Sequence, residues 1–173
     1  MRKESMRCFW ILSLAMMVIL IVIGFEKNAW SASPKEVRIG VVFPLSGSGS
    51  TMGVRTKQAI EFAAEIINEK SALTLPFAQT KGIPSLNGAP IKFVFADHQG
   101  APEKGASETE RLITSEKVDA VIGCYQTAVT ATASLAAERY QTPFLNSGSV
   151  GNILTARNLK WFFRLSPNVT MII

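Results

Sequence analysis

The chain has 173 residues, of which 47% are hydrophobic and 18% charged, a composition that excludes a fibrous or disordered protein. Its formal net charge of +5 is small, and its Lys and Arg residues are interspersed with Asp and Glu. That pattern is typical of a solvated protein surface and indicates no nucleic-acid partner.

The first residues have the composition of an export signal. Basic residues precede an apolar run of 17 residues, Phe9–Phe25, which is slightly shorter than the roughly 20 residues that span a bilayer. Small residues around Ser31 follow this run. We therefore predict a signal peptide over residues 1–31, cleaved near Ser31, and a periplasmic mature protein. An uncleaved N-terminal membrane anchor is the alternative that the same residues leave open.

Removal of residues 1–31 changes the charge and the cysteine count of the protein. The net charge falls to +3, because four basic and two acidic residues leave with the signal. Cys124 is then the one remaining cysteine. The mature chain therefore contains no intrachain disulfide, although an export signal implies an oxidising compartment.

Beyond the signal, short apolar runs alternate with stretches of helical periodicity. The runs predict strands over residues 37–43, 91–97, 118–123, 143–146 and 161–165. Helices are predicted around residues 59–67 and over residues 102–115 and 127–140, and Thr127 is a candidate cap for the last one. Turn residues over 71–88 predict an exposed excursion. The alternation predicts an α/β fold, a Rossmann-like parallel sheet with helices on both faces and right-handed crossovers.

Hydroxyl-bearing and glycine residues follow three of the predicted strands. In an open parallel sheet, ligands bind at the carboxyl ends of the strands. Hydroxyl groups and free backbone N–H groups at helix N-termini suit a carboxylate there. Ser, Thr and Gly are also common loop and cap residues, so each one taken alone favours a structural interpretation. The three loops are residues 46–51, 123–127 and 146–149.

Enzymatic patterns are poor in this sequence. His98 is the only histidine and no nucleophile elbow accompanies it, so we expect an exposed loop residue there and neither catalysis nor a metal site. Residues 47–53 have the glycine content of a dinucleotide loop, but their third glycine comes one place late. Asp97 is expected to form a strand-end turn, and Cys124 to be a small, half-buried residue. We therefore predict no enzymatic activity and no cofactor.

The order of several short motifs resembles the periplasmic Leu/Ile/Val-binding protein family. The resemblance rests on residues 41–47 followed by Gly53, and on residues 86–91, 121–123 and 154–155. It implies the type I periplasmic binding fold with strand order 2-1-3-4-5. It also implies a substrate-binding protein of an ABC importer, whose partners are membrane permease subunits and an amino-acid-like ligand, held between two lobes that close by a hinge motion.

The resemblance also implies which residues contact the ligand. The α-carboxylate and ammonium group of the ligand would bind the hydroxyl of Thr127, and hydroxyl and backbone groups of Ser147, Gly148 and Ser149. Tyr125, directly after a strand, is expected either to pack in the core or to line the ligand cleft. The other two residues of the predicted ligand-binding set are Gln126 and Met52.

Three departures from the family qualify this interpretation. Met52 replaces an aromatic residue found in some members, and Gly100 and Gln126 stand where some relatives have a disulfide. The chain also ends at Ile173, before the second lobe that the resemblance implies. We therefore expect residues 32–173 to form the N-terminal ligand-binding lobe and to bind weakly alone.

The ligand itself stays open at the level of the sequence. A branched-chain amino acid, another amino acid, or a related small amide or acid is compatible with recognition by hydroxyl groups. The alternative function is a ligand-sensing ectodomain of a membrane receptor, which would keep residues 9–25 as an uncleaved anchor.

Overall fold

The structure is a computed structural model that describes residues 35–173. The predicted signal peptide over residues 1–31, with its cleavage site and the alternative anchor, lies outside the described residues. Within residues 35–173, no helix is both long enough and apolar enough to span a bilayer.

Strands and helices alternate along the described chain. The strands are β1 (Val37–Phe43), β2 (Ile91–Asp97), β3 (Ala120–Gly123), β4 (Phe144–Asn146) and β5 (Phe162–Arg164). The helices are α1 (Ser50–Asn68), α2 (Pro102–Thr114), α3 (Thr127–Arg139), α4 (Ile153–Ala156) and α5 (Val169–Ile172), with a 3-10 turn at Pro84–Leu86.

The five strands form one parallel sheet in the order β2-β1-β3-β4-β5. The predicted fold class and strand order are thereby confirmed. A parallel neighbour needs a crossover, which explains why a helix separates each strand from the next one in sequence. Because the strands run in one direction, their carboxyl ends meet at one edge of the sheet, and the loops that follow the strands start there.

The main core lies between the sheet and the pair α2 and α3. Val42, Val121 and Phe144 point from successive neighbouring strands into this layer, where they are at most 1% exposed. Val129 of α3 comes so close to Gly105 of α2 that a methyl group on the glycine would lie 2.4 Å from its Cγ1 atom. The absent side chain therefore lets the two helices pack closely against each other.

Helix α1 covers the opposite face of the sheet. Side chains alternate between the two faces along a strand. Ala96 faces the α2 and α3 layer, whereas the ring of its neighbour Phe95 lies 5.3 Å from the Lys57 ammonium of α1. Gly53 is the one fully buried residue of α1, which sets the start of this helix close to the end of β1.

The observed strands match the predicted ones with small differences, whereas α1 begins before the predicted helix, so that Ser50 and Thr51 of the predicted loop lie in its first turn. Strand β3 starts two residues later than predicted, and the four-residue helices α4 and α5 were not predicted. Residues 71–88 form an irregular excursion, as predicted. The predicted capping role of Thr127 is wrong: Gln126 is the N-cap of α3, and no side chain makes a hydrogen bond at that cap.

Candidate functional site

Loops after β1, β3 and β4 meet at the carboxyl edge of the sheet. A methyl group placed on Gly49, in the loop after β1, would lie 3.2 Å from the Gln126 side-chain amide after β3. One placed on Gly148, after β4, would lie 3.3 Å from the Cys124 carbonyl oxygen. The fold thus brings the three hydroxyl-rich loops into one surface.

The centre of this surface is the N-terminus of α3. The first N–H groups of a helix have no partner within the helix, and the helix dipole makes this end favourable for anions. Here no side chain caps the end, and the first turn contains no acidic residue. The Thr127 hydroxyl, in that first turn, has no hydrogen-bond partner among the described residues. The surface therefore offers backbone and hydroxyl donors that a carboxylate can use.

The loop after β4 is held in place by the buried side chain of Asn146. Its Oδ1 accepts a hydrogen bond from the backbone N–H of Ser149 at 2.9 Å, and its Nδ2 donates to the Ser149 carbonyl at 2.8 Å. The Ser149 carbonyl also accepts from Arg164 of β5 at 3.0 Å and from the Ser166 hydroxyl at 2.9 Å. This loop is therefore fixed by side chains before any ligand arrives, which lowers the ordering cost of binding.

Ser149 differs from the other predicted site residues in its exposure. It is 1% exposed, and its hydroxyl lies within hydrogen-bond distance of the Cys124 carbonyl (3.0 Å) and the Tyr125 carbonyl (3.1 Å), and of the Thr130 hydroxyl. Ser149 thus ties the loop after β4 to the turn after β3. Ser147 is exposed and Gly148 half-buried, so these two residues are presented to solvent.

An apolar contribution to the surface comes from Tyr125 and Met52. Tyr125 is 42% exposed and lies beside Gly148, since a methyl group on the glycine would be 4.0 Å from the tyrosine ring. Met52, in the first turn of α1, is 44% exposed. Of the two expectations for Tyr125, packing in the core is therefore wrong, and contact with a ligand stays a prediction.

The Gln126 side chain lies next to the loop after β1, as the Gly49 distance shows, and also next to the loop after β2. Its side-chain nitrogen lies 3.5 Å from the position of a methyl group on Gly100, and its Oε1 is buried without a partner in the described part of the chain. Gly100 and Gln126, the positions of a disulfide in some relatives, are therefore neighbours here, with an amide in place of the covalent bond.

Gly151 determines how closely the loop after β4 approaches α3. A methyl group on Gly151 would lie 2.4 Å from the Cγ2 atom of Thr127 and 3.0 Å from its hydroxyl. Arg164 donates to the Gly151 carbonyl at 2.8 Å. This contact fixes the Thr127 side chain, although neither Gly151 nor Arg164 was a predicted site residue.

Asp97 joins the loop after β1 to the end of β2. Its carboxylate accepts hydrogen bonds from Ser46 Oγ (2.6 Å), Leu45 N (2.8 Å) and Gln99 N (2.9 Å). Burial by itself would raise the pKa of Asp97, but these hydrogen bonds outweigh it and hold the pKa below its ordinary value. Asp97 forms the predicted strand-end turn and also positions the serine-rich loop.

The expectation that His98 is an exposed loop residue is wrong. The side chain is 0% exposed, and burial lowers its pKa. Cys124 is likewise fully buried instead of half-buried, and burial raises the pKa of its thiol to about 12. Its thiol is therefore protonated and unreactive at neutral pH.

No group of His, Cys, Asp and Glu residues within the described range could hold a metal ion. The arrangement instead suits the non-covalent binding of a small molecule.

A family model described as periplasmic binding protein matches residues 36–172. Leu/Ile/Val-binding protein homolog 8 of Brucella suis is 26% identical over 146 residues, which are 84% of this chain and 32% of that protein. Leu/Ile/Val-binding protein homolog 3 of Brucella melitensis is 27% identical over 142 residues, 82% of this chain and 34% of that protein. The chain thus spans about a third of the length of these relatives.

Solved structures share the fold at lower identity. The branched-chain amino acid transporter substrate-binding protein LivJ of Streptococcus pneumoniae, in complex with isoleucine, superposes with a TM-score of 0.65 at 24% identity, over 77% of this chain and 34% of that chain. An ABC transporter solute-binding protein of Rhodopseudomonas palustris, in complex with 3,4-dihydroxybenzoic acid, superposes with a TM-score of 0.63 at 18% identity, over 78% of this chain and 33% of that chain. The described chain therefore has the fold of one lobe of these proteins.

Proposed function

The chain belongs to the periplasmic binding protein family, and on that premise we propose that residues 32–173 form the N-terminal ligand-binding lobe of an extracytoplasmic solute-binding protein of an ABC importer. Family members are solute-binding proteins and not enzymes. The proposed partners are a small ligand and the permease subunits of the importer. The proposed signal peptide over residues 1–31 would deliver the protein to the periplasm.

The observation that carries the proposal is the open N-terminus of α3 opposite a pre-organised loop. The uncapped helix end and the free Thr127 hydroxyl supply donors for a carboxylate. Ser147 and Gly148 approach the same place from β4, with their backbone fixed by Asn146. Donors that are already in place bind an anion without the entropic cost of ordering them.

The proposed ligand is a branched-chain amino acid, another amino acid, or a related small amide or acid. Its carboxylate would bind at the end of α3, and its apolar part would contact Tyr125 and Met52, which are both exposed at this edge. The isoleucine complex and the 3,4-dihydroxybenzoic acid complex of the two solved structures support a carboxylate with an apolar part. One lobe buries only one side of such a ligand, so we expect weak binding.

Weak binding is measurable by saturation-transfer NMR on the ligand. We expect leucine, isoleucine or 3,4-dihydroxybenzoate to receive magnetisation from the protein, and glucose, which has no carboxylate, to receive none. Signals of equal size from glucose would contradict a site built for a carboxylate.

The variant Thr127→Val tests the site itself, because it keeps the shape of the side chain and its packing against Gly151 while removing the hydroxyl. A hydrogen bond to a charged carboxylate is worth about 1.5–3 kcal/mol, so affinity should fall roughly 10-fold to 150-fold. The matched control is Thr114→Val, whose hydroxyl donates to the Glu110 carbonyl in α2 at 2.8 Å. Equal affinities for the two variants would remove Thr127 from the site.

A further inference from the structure

His98 is a buried titratable group that ligand recognition does not use. It is the only histidine of the chain, and its side chain is 0% exposed. Its Nδ1 accepts a hydrogen bond from the backbone N–H of Gly100 at 2.9 Å. A nitrogen that accepts a hydrogen bond carries no proton, so the neutral imidazole holds its proton on Nε2.

The turn that His98 stabilises has an unusual backbone. Gln99 and Gly100 both have positive φ angles, 52° and 78°, in the left-handed region that non-glycine residues seldom adopt. The turn is closed by the bond from Gly100 to His98 Nδ1 and by one from the Ala101 N–H to the His98 carbonyl at 2.8 Å. The imidazole is therefore part of what keeps this turn closed.

The same turn contacts two of the loops that form the candidate site. A methyl group on Gly100 would lie 3.5 Å from the side-chain nitrogen of Gln126 and 3.6 Å from the Ser48 carbonyl oxygen. Gln126 is the N-cap of α3, directly before Thr127. Gly100 therefore lies next to the residue that precedes the helix end where we propose that the carboxylate binds.

The charged groups around His98 are few. Asp97 precedes it, and its negative charge favours the protonated imidazole, but its oxygens are already bonded to the loop after β1. Lys104 of α2 donates to the Gln99 side chain. The loop after β1, residues 44–53, contains no charged residue, and Cys124 after β3 is an uncharged thiol. Within residues 35–173, Asp97 is thus the one carboxylate whose charge acts on the ring.

We propose that His98 is a pH-sensitive latch for the ligand-binding edge: the neutral imidazole holds the turn at Gly100 against Gln126, and protonation opens it. A proton on Nδ1 would face the Gly100 N–H, so the bond between them has to break. The consequence for ligand binding rests on the function proposed above, whereas the latch itself does not.

The direction of the pH dependence follows from burial. Burial lowers the pKa of His98, and the Asp97 charge offsets only part of this effect. The unfolded chain therefore takes up a proton at a higher pH than the folded chain does. The stability that the neutral side chain contributes is complete above about pH 6.5, the ordinary histidine value, and is lost as the pH falls below it. A ligand that needs the closed turn must compete with the proton.

NMR of the ring tests the latch without any ligand. Since the chain has one histidine, the ring Cε1–H signal belongs to His98, and the backbone amides of Gly100 and Gln126 report on the turn and the helix end. In a titration from pH 7.5 to pH 5, we expect the ring to take up its proton only at a pH below the ordinary histidine pKa. When it does take up a proton, both amides should shift in the same transition. A ring that titrates at about pH 6.5 or above while both amides stay constant would overturn the proposal.

The variant His98→Asn gives a second test, because an asparagine oxygen can accept the Gly100 N–H and does not titrate. We expect the melting temperature of the unmodified protein to fall from pH 7 to pH 5 more steeply than that of the variant. The control Lys104→Gln should keep the steep fall. Equal slopes for the unmodified protein and His98→Asn would refute the latch.

Leucine binding, followed over the same pH range, separates the latch from the proposed function. The latch predicts a several-fold loss of affinity towards pH 5 in the unmodified protein and a smaller loss in His98→Asn. Absence of leucine binding at every pH would count against the proposed ligand, while the ring titration would still decide on the latch.

Discussion

Substituting Gly53 by Ala tests the close contact between the start of α1 and the end of β1. A methyl group on Gly53 would lie 1.9 Å from the Pro44 carbonyl oxygen, 2.6 Å from the carbonyl carbon and 3.3 Å from the Leu45 nitrogen. These atoms belong to the backbone, so no side-chain rotation can relieve the overlap. The distance between the methyl group and the Pro44 carbonyl oxygen has to grow by about 1.6 Å to reach an ordinary contact of about 3.5 Å, so the first turn of α1 has to move away from β1.

Two opposing energies set the size of the effect. Ala is favoured over Gly in a helix by about 1 kcal/mol, whereas overpacking costs about 1–3 kcal/mol and sometimes more. Because the overlap here is with a carbonyl group, we expect an overpacking cost of about 2–3 kcal/mol and, after the helix preference is subtracted, a net loss of about 1–2 kcal/mol in the free energy of unfolding. Urea denaturation followed by circular dichroism measures this loss, provided that the m-value is unchanged.

The matched control for Gly53→Ala is Gly105→Ala in α2. There the methyl group would meet a side-chain atom, Cγ1 of Val129, at 2.4 Å, and the nearest backbone atom would be 3.4 Å away. The valine can change its rotamer, so the destabilisation should be smaller than for Gly53→Ala. If Gly53→Ala were as stable as the unmodified protein, α1 could not approach β1 as closely as the structure shows.

Three further predictions concern the groups around the site. Asn146→Ala leaves the buried N–H of Ser149 without its acceptor and should lower the free energy of unfolding by about 2 kcal/mol, measured by urea denaturation. An unchanged free energy of unfolding would contradict the pre-organised loop. The low pKa of Asp97 contributes stability above about pH 3.9, the ordinary aspartate pKa, and this stability is lost as the pH falls further. In a plot of melting temperature against pH, Asp97→Asn should therefore show a shallower fall on the acid side. An identical fall on the acid side for the variant and the unmodified protein would refute this. Iodoacetamide at pH 8 should modify Cys124 only when urea unfolds the protein, as judged by mass spectrometry of the peptide that contains it; fast labelling of the native protein would disagree with its burial.

The fold could be predicted from the sequence because its strands are continuous apolar runs between turn residues. The strand over residues 91–97 has the same bounds in the prediction and in the structure. The error at the start of β3 has a local cause: the Val118 N–H bonds to the Leu112 carbonyl, so this residue is held by the turn that follows α2 and not by a neighbouring strand. Helices of four residues, such as α5, are too short to show a helical period.

The site could be predicted only in part. The topology of a parallel sheet placed Thr127 and the loop after β4 at one edge, because this depends on strand order alone. Ser147 and Ser149 look alike in the sequence, and the Asn146 side chain decides which of them is buried. His98 follows β2, and its backbone N–H bonds to the Phe43 carbonyl of β1, a contact between segments distant in sequence that no local pattern shows.

Mapping the binding of leucine on the backbone amides of the protein tests the central claim most directly. A series of nitrogen–proton NMR spectra with increasing leucine reports each affected amide, even for weak binding. The account predicts saturable shifts centred on Thr127 and Ala128 at the start of α3, on Tyr125, and on Ser147 and Gly148 after β4. Saturable shifts elsewhere, with these amides unchanged, would contradict it.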